Sequence, residues 1–489
     1  MLNSCRGGLL AAVSSLGLMI GLAAGPAAAE TLTDAIALAY DSNPSLQAQR
    51  ALQRALDESW VQARTGFRPS VSETVRATYQ EISTPRPRFG PGTTRGNSGS
   101  SVLSINQPIY TGGRVAAAVS GAEADVLAGR ENLRRVESQI LGQVILAYVD
   151  VRRDLEGLRI RQENVKVLRR QLDESKARFD VGEITRTDVA QSEARLAASI
   201  AQLQSSQAQL DSSRAGYRAV VGQVPGDLAP EPSLGNLLPD TVDQAYDAAE
   251  RDNGQLRSAQ YTEQSSRARV ARARAERMPS IGLQGSVGFS GLASPLNTDT
   301  YSRNLTGAAV VTVPIFSGGL VNSQVRAAVE RNNADRLGIE IARRTVQQNL
   351  TQAWSSLIAA RGNIDATDQQ VRAARIAAEG VHQEQQVGLR TTLDVLNAEQ
   401  ELRGAELAQI SARHDEYVAA ANVLGQMGKL EAGYLTPNLP RYDARANFNG
   451  LRMTWGWTPW EEPIALLDSV GVPRTVEKPR TTVSATPPN

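Results

Sequence analysis

Two hydrophobic periods alternate along this chain, and the places where they change divide it into segments. From Leu133 the apolar residues Ile140, Val144, Ala147, Val151, Leu155, Leu158, Val165, Leu168 and Leu172 step by threes, fours and sevens. In the segment that follows, Val189, Leu196, Leu203, Leu210 and Tyr217 stand seven apart. Spacing of seven marks a coiled-coil seam. A helix from 113 to 180 would run roughly 100 Å at about 1.5 Å per residue, too long for a compact domain. The expectation is an extended antiparallel helical hairpin.

Elsewhere the period is two. Val71, Val75, Ala77 and Tyr79 alternate with Ser72, Thr74, Arg76 and Thr78, with Glu73 an exception on the apolar face. Leu103, Ile105 and Ile109 mark a second strand. A third has Ile281, Leu283, Val287 and Phe289, and a fourth Leu305, Ala309, Val311, Val313 and Ile315. Strands near ten residues with one apolar face suit a membrane barrel. Helices at 32–65 and 242–277 are expected before the first and third strands, each stopped by a proline. Between strands, Pro85–Ser100 and Gly291–Arg303 read as flexible loops. Gly92–Gly96 lacks the Lys-Ser/Thr of a phosphate loop.

These segments occur twice. Thr31-Leu32-Thr33-Asp34-Ala35 answers Thr241-Val242-Asp243-Gln244-Ala245, and Arg68-Pro69-Ser70-Val71 answers Met278-Pro279-Ser280-Ile281. Gln107-Pro108-Ile109-Tyr110-Thr111-Gly112-Gly113 answers Val313-Pro314-Ile315-Phe316-Ser317-Gly318-Gly319. Tyr148 answers Trp354, and Phe179-Asp180-Val181-Gly182 answers Gln385-Gln386-Val387-Gly388. The chain is expected to be two copies of one unit, at 30–224 and 241–430, joined by a Pro-rich linker at 225–240. An extension at 431–489 belongs to neither.

Composition narrows the class. Aromatics are only 4% and the net charge is +1, with basic residues dispersed, so no nucleic-acid partner is expected. Arg6, an apolar run from Leu9 to Ala24 and Ala27-Ala28-Ala29 form a signal peptide at 1–29, cleaved before Glu30. That run is short for a spanning anchor, which needs about 20 residues. The only cysteine, Cys5, precedes it, so no lipid-anchor cysteine, disulfide or thiol chemistry is expected in the mature chain. His382 and His414 stand far apart with no third ligand at metal spacing, and His414-Asp415-Glu416 reads as a solvated face. No nucleophile elbow or Walker motif occurs. No enzyme activity, metal or cofactor is expected.

Four strands cannot close a barrel, because every backbone group inside a membrane must be paired and the smallest barrels have about eight strands. Oligomerisation follows, and three copies would supply twelve strands. Here the chain closely resembles the TolC family of outer-membrane channels over roughly 31–430. The resemblance rests on the duplication, on Pro-Ile-Tyr-Thr-Gly-Gly and Pro-Ile-Phe-Ser-Gly-Gly, and on two tip motifs. These run from Val181-Gly182 through Thr185 to Asp188-Val189, and from Val387-Gly388 through Arg390 and Thr391 to Asp394-Val395-Leu396.

The resemblance implies an α+β membrane protein. A homotrimer would form a 12-stranded β-barrel in outer-membrane lipid, continued by an α-helical coiled-coil barrel in the periplasm. It also implies a passive exit duct for drug efflux or type I protein secretion. Such a duct docks to a periplasmic adaptor and to an inner-membrane ABC or proton-driven transporter. Asp394 matches a carboxylate ring at the periplasmic entrance, while Arg390 and Asp188 match positions whose inter-helix links hold it shut. Val181, Gly182, Val387 and Gly388 would meet the adaptor. Asn397 and Gln385 depart from acidic and aromatic residues of some members. Read physically, Gly182 and Gly388 are helix C-caps, and Thr185-x-x-Asp188 and Thr391-x-x-Asp394 are capping boxes. Both roles are compatible for the aspartates.

Trp455, Trp457 and Trp460 suggest either interfacial anchoring or a partly ordered collar. A structural periplasmic coiled-coil scaffold is the alternative function.

Overall fold

The computed structural model describes residues 29–83, 93–292, 301–437 and 439–470. Nearly all of the expected signal peptide, and the tail beyond 470, lie outside them. The first half of the chain runs α1 (Leu32–Ser42), α2 (Pro44–Arg64), β1 (Ser70–Ser83), β2 (Thr93–Tyr110), α3 (Arg114–Asp180) and α4 (Arg186–Val221). The second half has the same order: α5 (Val242–Asp252), α6 (Gly254–Ala275), β3 (Ser280–Leu292), β4 (Ser302–Thr312), α7 (Leu320–Gln386) and α8 (Thr392–Gln426). Among the described residues three short helices follow, α9 (Ala432–Leu435), α10 (Ala444–Gly450) and α11 (Glu461–Asp468).

The helices expected at 32–65 and 242–277 are each broken in two. Asn43 has extended backbone, and its side chain accepts from the amides of Ser45 and Leu46 at 3.0 and 3.3 Å. Pro44 has no amide hydrogen to lose and suits the first helical position. Asn253 repeats the arrangement, accepting from Gln255 and Leu256 at 2.9 and 3.2 Å. An asparagine that starts one helix must end the previous one.

The strands form one antiparallel sheet in the order β1-β2-β3-β4, and among the described residues the outer edges of β1 and β4 have no strand partner. Glu73 lies opposite Leu103, Leu103 opposite Val287, and Val287 opposite Leu305, so this row shares one face. Gln107 lies opposite Leu283 on that same face. The apolar side chains on it are largely exposed in the protomer. The strands are 14, 18, 13 and 11 residues long, more than the ten expected. The difference arises in the expected loops: Thr93–Ser100 pairs with Arg76–Ser83. Likewise Gly291 and Leu292 belong to β3, and Ser302 and Arg303 to β4. Residues 84–92 and 293–300 lie outside the description.

Each long helix of 67 residues folds back on its shorter partner, α3 on α4 and α7 on α8. The expected seam is buried at Leu133, Ile140, Val144, Val151, Val165, Leu168 and Leu172, with Ala147, Leu155 and Leu158 partly buried against the core. The main core lies where α1, α3, α4, α7 and α8 meet, around Tyr148, Tyr217, Leu350, Leu357 and Leu424. Towards the tips of α3 and α4 the seam turns polar: the Ser175 and Ser192 hydroxyls lie 3.2 Å apart, and Asn164 donates to Ser199. No helix among the described residues is long and apolar enough to cross a membrane.

His414 corrects one expectation. Its side chain is 9% exposed, and its ring nitrogens lie 2.9 Å from Asp150 and from Asp415, so it bridges α8 to α3 instead of facing solvent.

The tail folds back on the first half. Phe448 stacks at a tilt on Trp60, with ring centroids 4.9 Å apart. Fully buried Glu461 takes Arg64 at 2.5 Å and Arg68 at 2.9 Å. Buried Asp468 accepts from the amides of Thr111, Gly113 and Ala116 and from the Thr111 hydroxyl, closing over the turn between β2 and α3.

Candidate functional site: the paired helix tips

Both hairpins end in the same backbone device. At the first tip the Gly182 amide donates to Phe179 and the Glu183 amide to Arg178, both at 2.9 Å. At the second, Gly388 donates to Gln385 at 3.0 Å and Leu389 to Glu384 at 2.9 Å. This pair of bonds needs a left-handed residue at the glycine. Gly182 and Gly388 have φ of +75° and +81°, and an added Cβ at either would meet open space. Glycine is there for its backbone, not for room.

Three residues later each return helix opens with a full capping box. The Thr185 hydroxyl accepts from the Asp188 amide, and the Asp188 carboxylate accepts from the Thr185 amide at 2.9 Å and hydroxyl at 2.7 Å. Thr391 and Asp394 do the same at 3.0 and 2.8 Å. The Thr185 hydroxyl, then its amide, hold the Asp188 pKa below the usual carboxylate range. For Asp394 the Thr391 amide is the larger cause, the hydroxyl next, with a smaller contribution from Arg390. Both aspartates are therefore ionised at neutral pH.

Charges also pair within each tip. Arg178 bonds Glu183 at 2.6 Å, and Arg390 bonds Glu384 at 2.8 Å, which raises the Arg390 pKa. Among the described residues no hydrogen bond or ion pair joins Arg390 to Asp188 within the protomer. The tips instead present apolar side chains outward, with Val181 79% and Val387 71% exposed.

One link between the hairpins has no signal in local sequence. Arg195 on α4 donates to Gln400 and, at 3.0 Å, to Asn397 on α8. Asn397 is thus an acceptor one turn above Asp394. Gln385 is buried against the tip, with its amide oxygen unpartnered.

The outer membrane efflux protein pattern matches this chain at residues 35–223 and 245–429. The chain belongs to that family. It is 32% identical over 430 residues to the outer membrane efflux protein BepC of Brucella suis biovar 1, covering 88% of this chain and 92% of BepC. It is 26% identical to the outer membrane protein TolC of Escherichia coli strain K12, covering 82% and 83% of the two chains. Its fold matches the solved outer-membrane channel OprN with a TM-score of 0.70 at 20% identity, over 81% of this chain and 90% of that one. The protein is accordingly an outer-membrane export channel of the TolC family, and its long helical hairpins and four-stranded sheet are the parts of that channel.

Proposed function

We propose that three copies of this chain close into one passive conduit, a twelve-stranded barrel continued by a helical tube. One observation carries the reading. The sheet has four strands and two open edges, and an open edge cannot persist in lipid. β4 of one copy pairs with β1 of the next, and the two similar halves, 30–224 and 241–430, act as successive staves. Apolar residues of the Leu103–Val287–Leu305 row face lipid.

Asp394 and Asp188 then sit at the periplasmic entrance, where three copies of each form rings of ionised carboxylates. Arg390, held in the protomer by Glu384, exchanges that partner for inter-helix links when the entrance tightens. Val181, Gly182, Val387 and Gly388 form the apolar rim that meets a periplasmic adaptor. An inner-membrane ABC or proton-driven transporter supplies the energy. Chemical cross-linking in native membranes, followed by mass measurement in detergent, is expected to give a species of three chains. A monomer that conducts ions would overturn the reading. Gly182→Val with Gly388→Val is expected to abolish export while trimers still assemble, since both tips lie roughly 100 Å from the sheet by helix rise.

A further inference from the structure

The tail lies beyond the family match, which ends at 429, and nothing in the tip mechanism uses it. Its placement is specific. Glu461 is clamped by Arg64 and Arg68, Asp468 closes over the β2–α3 turn, and Ile464 packs on Phe67 and Val115. Trp460 then reaches the sheet itself, its indole N–H donating to the Gln107 side chain at 3.1 Å. Gln107 lies opposite Leu283 and keeps the parity of Leu103 and Ile105, so α11 sits on the apolar face of the sheet, at its helix-side end.

The outward side of this clip has an unusual surface. Trp455 is fully exposed, and Trp457, Trp460, Leu466, Leu467 and Val470 are also exposed. From 453 to 470 the only charged residues are Glu461, Glu462 and Asp468. Glu461 and Glu462 bond Arg64 and Asp468 bonds the turn, so each is matched by a partner within the protomer. Apart from the Glu462 carboxylate, which stays largely exposed beside Arg64, what remains outward is indole and aliphatic surface, and Trp460 brings it against the apolar face of the strands at Gln107. Indoles favour the headgroup layer, where the ring is half in hydrocarbon and its N–H can still hydrogen-bond.

We propose that residues 453–470 form an interfacial collar, which rests on the phospholipid headgroup layer of the periplasmic leaflet. The collar fixes the depth at which the sheet sits in the membrane. This inference rests on the membrane-spanning sheet proposed above. A short amphipathic segment pinned by buried carboxylates can lie in the interface plane without crossing it.

The test uses the full-length channel reconstituted in phosphatidylethanolamine–phosphatidylglycerol vesicles, with and without phospholipids brominated near the headgroup. Trp60 is buried, and Trp354 is only partly buried in α7, so the test is run in a Trp354→Phe background in which the tail indoles report the contact. Bromolipid is expected to quench emission in this background. Most of that quenching should be lost in the Trp455→Phe/Trp457→Phe double variant, and part of it in Trp455→Phe, whose fully exposed ring makes misfolding no explanation. Emission quenched by aqueous iodide but not by bromolipid would put the indoles in water and overturn the collar. Emission insensitive to both would bury them under a neighbouring copy and overturn it equally. Ion conductance of the same vesicles separates the two readings. Conductance without lipid quenching sinks the collar alone, whereas no conductance sinks the spanning sheet on which it rests.

Discussion

The turns that lead from strand into long helix, at Thr111–Gly113 and Ser317–Gly319, have nearly the same sequence and backbone but opposite surroundings. Gly112 and Gly113 have φ of +68° and +84°, and Gly318 and Gly319 of +60° and +84°. Around the first turn, Asp468 binds the free amides, Ile464 covers Val115, and Trp460 holds Gln107. Around the second, nothing comparable occurs among the described residues: Ile315 is 94% and Phe316 90% exposed. Local sequence therefore sets the turn, while enclosure comes from outside the half in which the turn lies. For the first turn the enclosing piece is the chain's own tail. The second has no such piece among the described residues.

The comparison breaks most readily at the tail. Glu461→Ala leaves Arg64 and Arg68 buried without their shared carboxylate, and losing one partner of a buried pair typically costs about 3–5 kcal/mol. Limited proteolysis and chemical denaturation should show the tail released and the first half loosened. Protection of the second turn in hydrogen exchange should not change.

Smaller, and sharper, is the contrast between glycines. Gly112→Ala and Gly318→Ala both incur the left-handed penalty of about 1–2 kcal/mol. Only at Gly112 would the new Cβ fall 2.4 Å from the Met278 Cβ, an overlap that adds about 1–3 kcal/mol. Gly112→Ala should thus be the more destabilising in monomeric protein. Equal effects in the assembled channel would mean that a second copy covers Gly318 much as Met278 covers Gly112.

The weakest expected effect is on pH dependence. Burial pushes the His414 pKa down, but the hydrogen bonds its ring donates to Asp150 and Asp415 outweigh it, and the folded value lies above the ordinary one. A raised value means the bridge between α3 and α8 contributes fully below the ordinary histidine pKa, near 6.5, and is lost as pH rises through the folded value. Protection of the α3 amides near Asp150, taken relative to the base-catalysed intrinsic exchange rate at each pH, should be greater at about pH 5 than at about pH 8.5, and His414→Gln should flatten the difference.

The same contrast explains what could be read from the sequence. The glycine caps and the capping boxes are local, set within a few residues, and appear in the fold as their spacing implies. The heptad positions do so along α3, but on α4 only Leu210 and Tyr217 of the expected seam are buried, and Ser192 and Ser199 take its place towards the tip. Asn43-Pro44 and Asn253-Gly254 carried a local signal too, but the apolar period continues across both breaks and hides them. The long extension of β2 into a Gly- and Ser-rich stretch depends on pairing with β1, which composition does not encode. Glu461, Asp468, His414 and Arg195 act on partners more than fifty residues away. Nothing in their own neighbourhoods distinguishes them from solvated charges. The tail was the least legible part because its partners all lie in the first half.

The central claim is a passive conduit whose entrance is ringed by Asp394. Reversal potentials of the purified channel in a planar bilayer test it most directly, with no energy source present. The account predicts steady conductance with a cation preference. That preference should fade as the Debye length falls from about 30 Å at 0.01 M salt to about 3 Å at 1 M, and weaken in Asp394→Ala. Asp394→Ala with unchanged selectivity would leave that carboxylate as a helix cap and nothing more, and an assembled channel that carries no current would contradict the conduit itself.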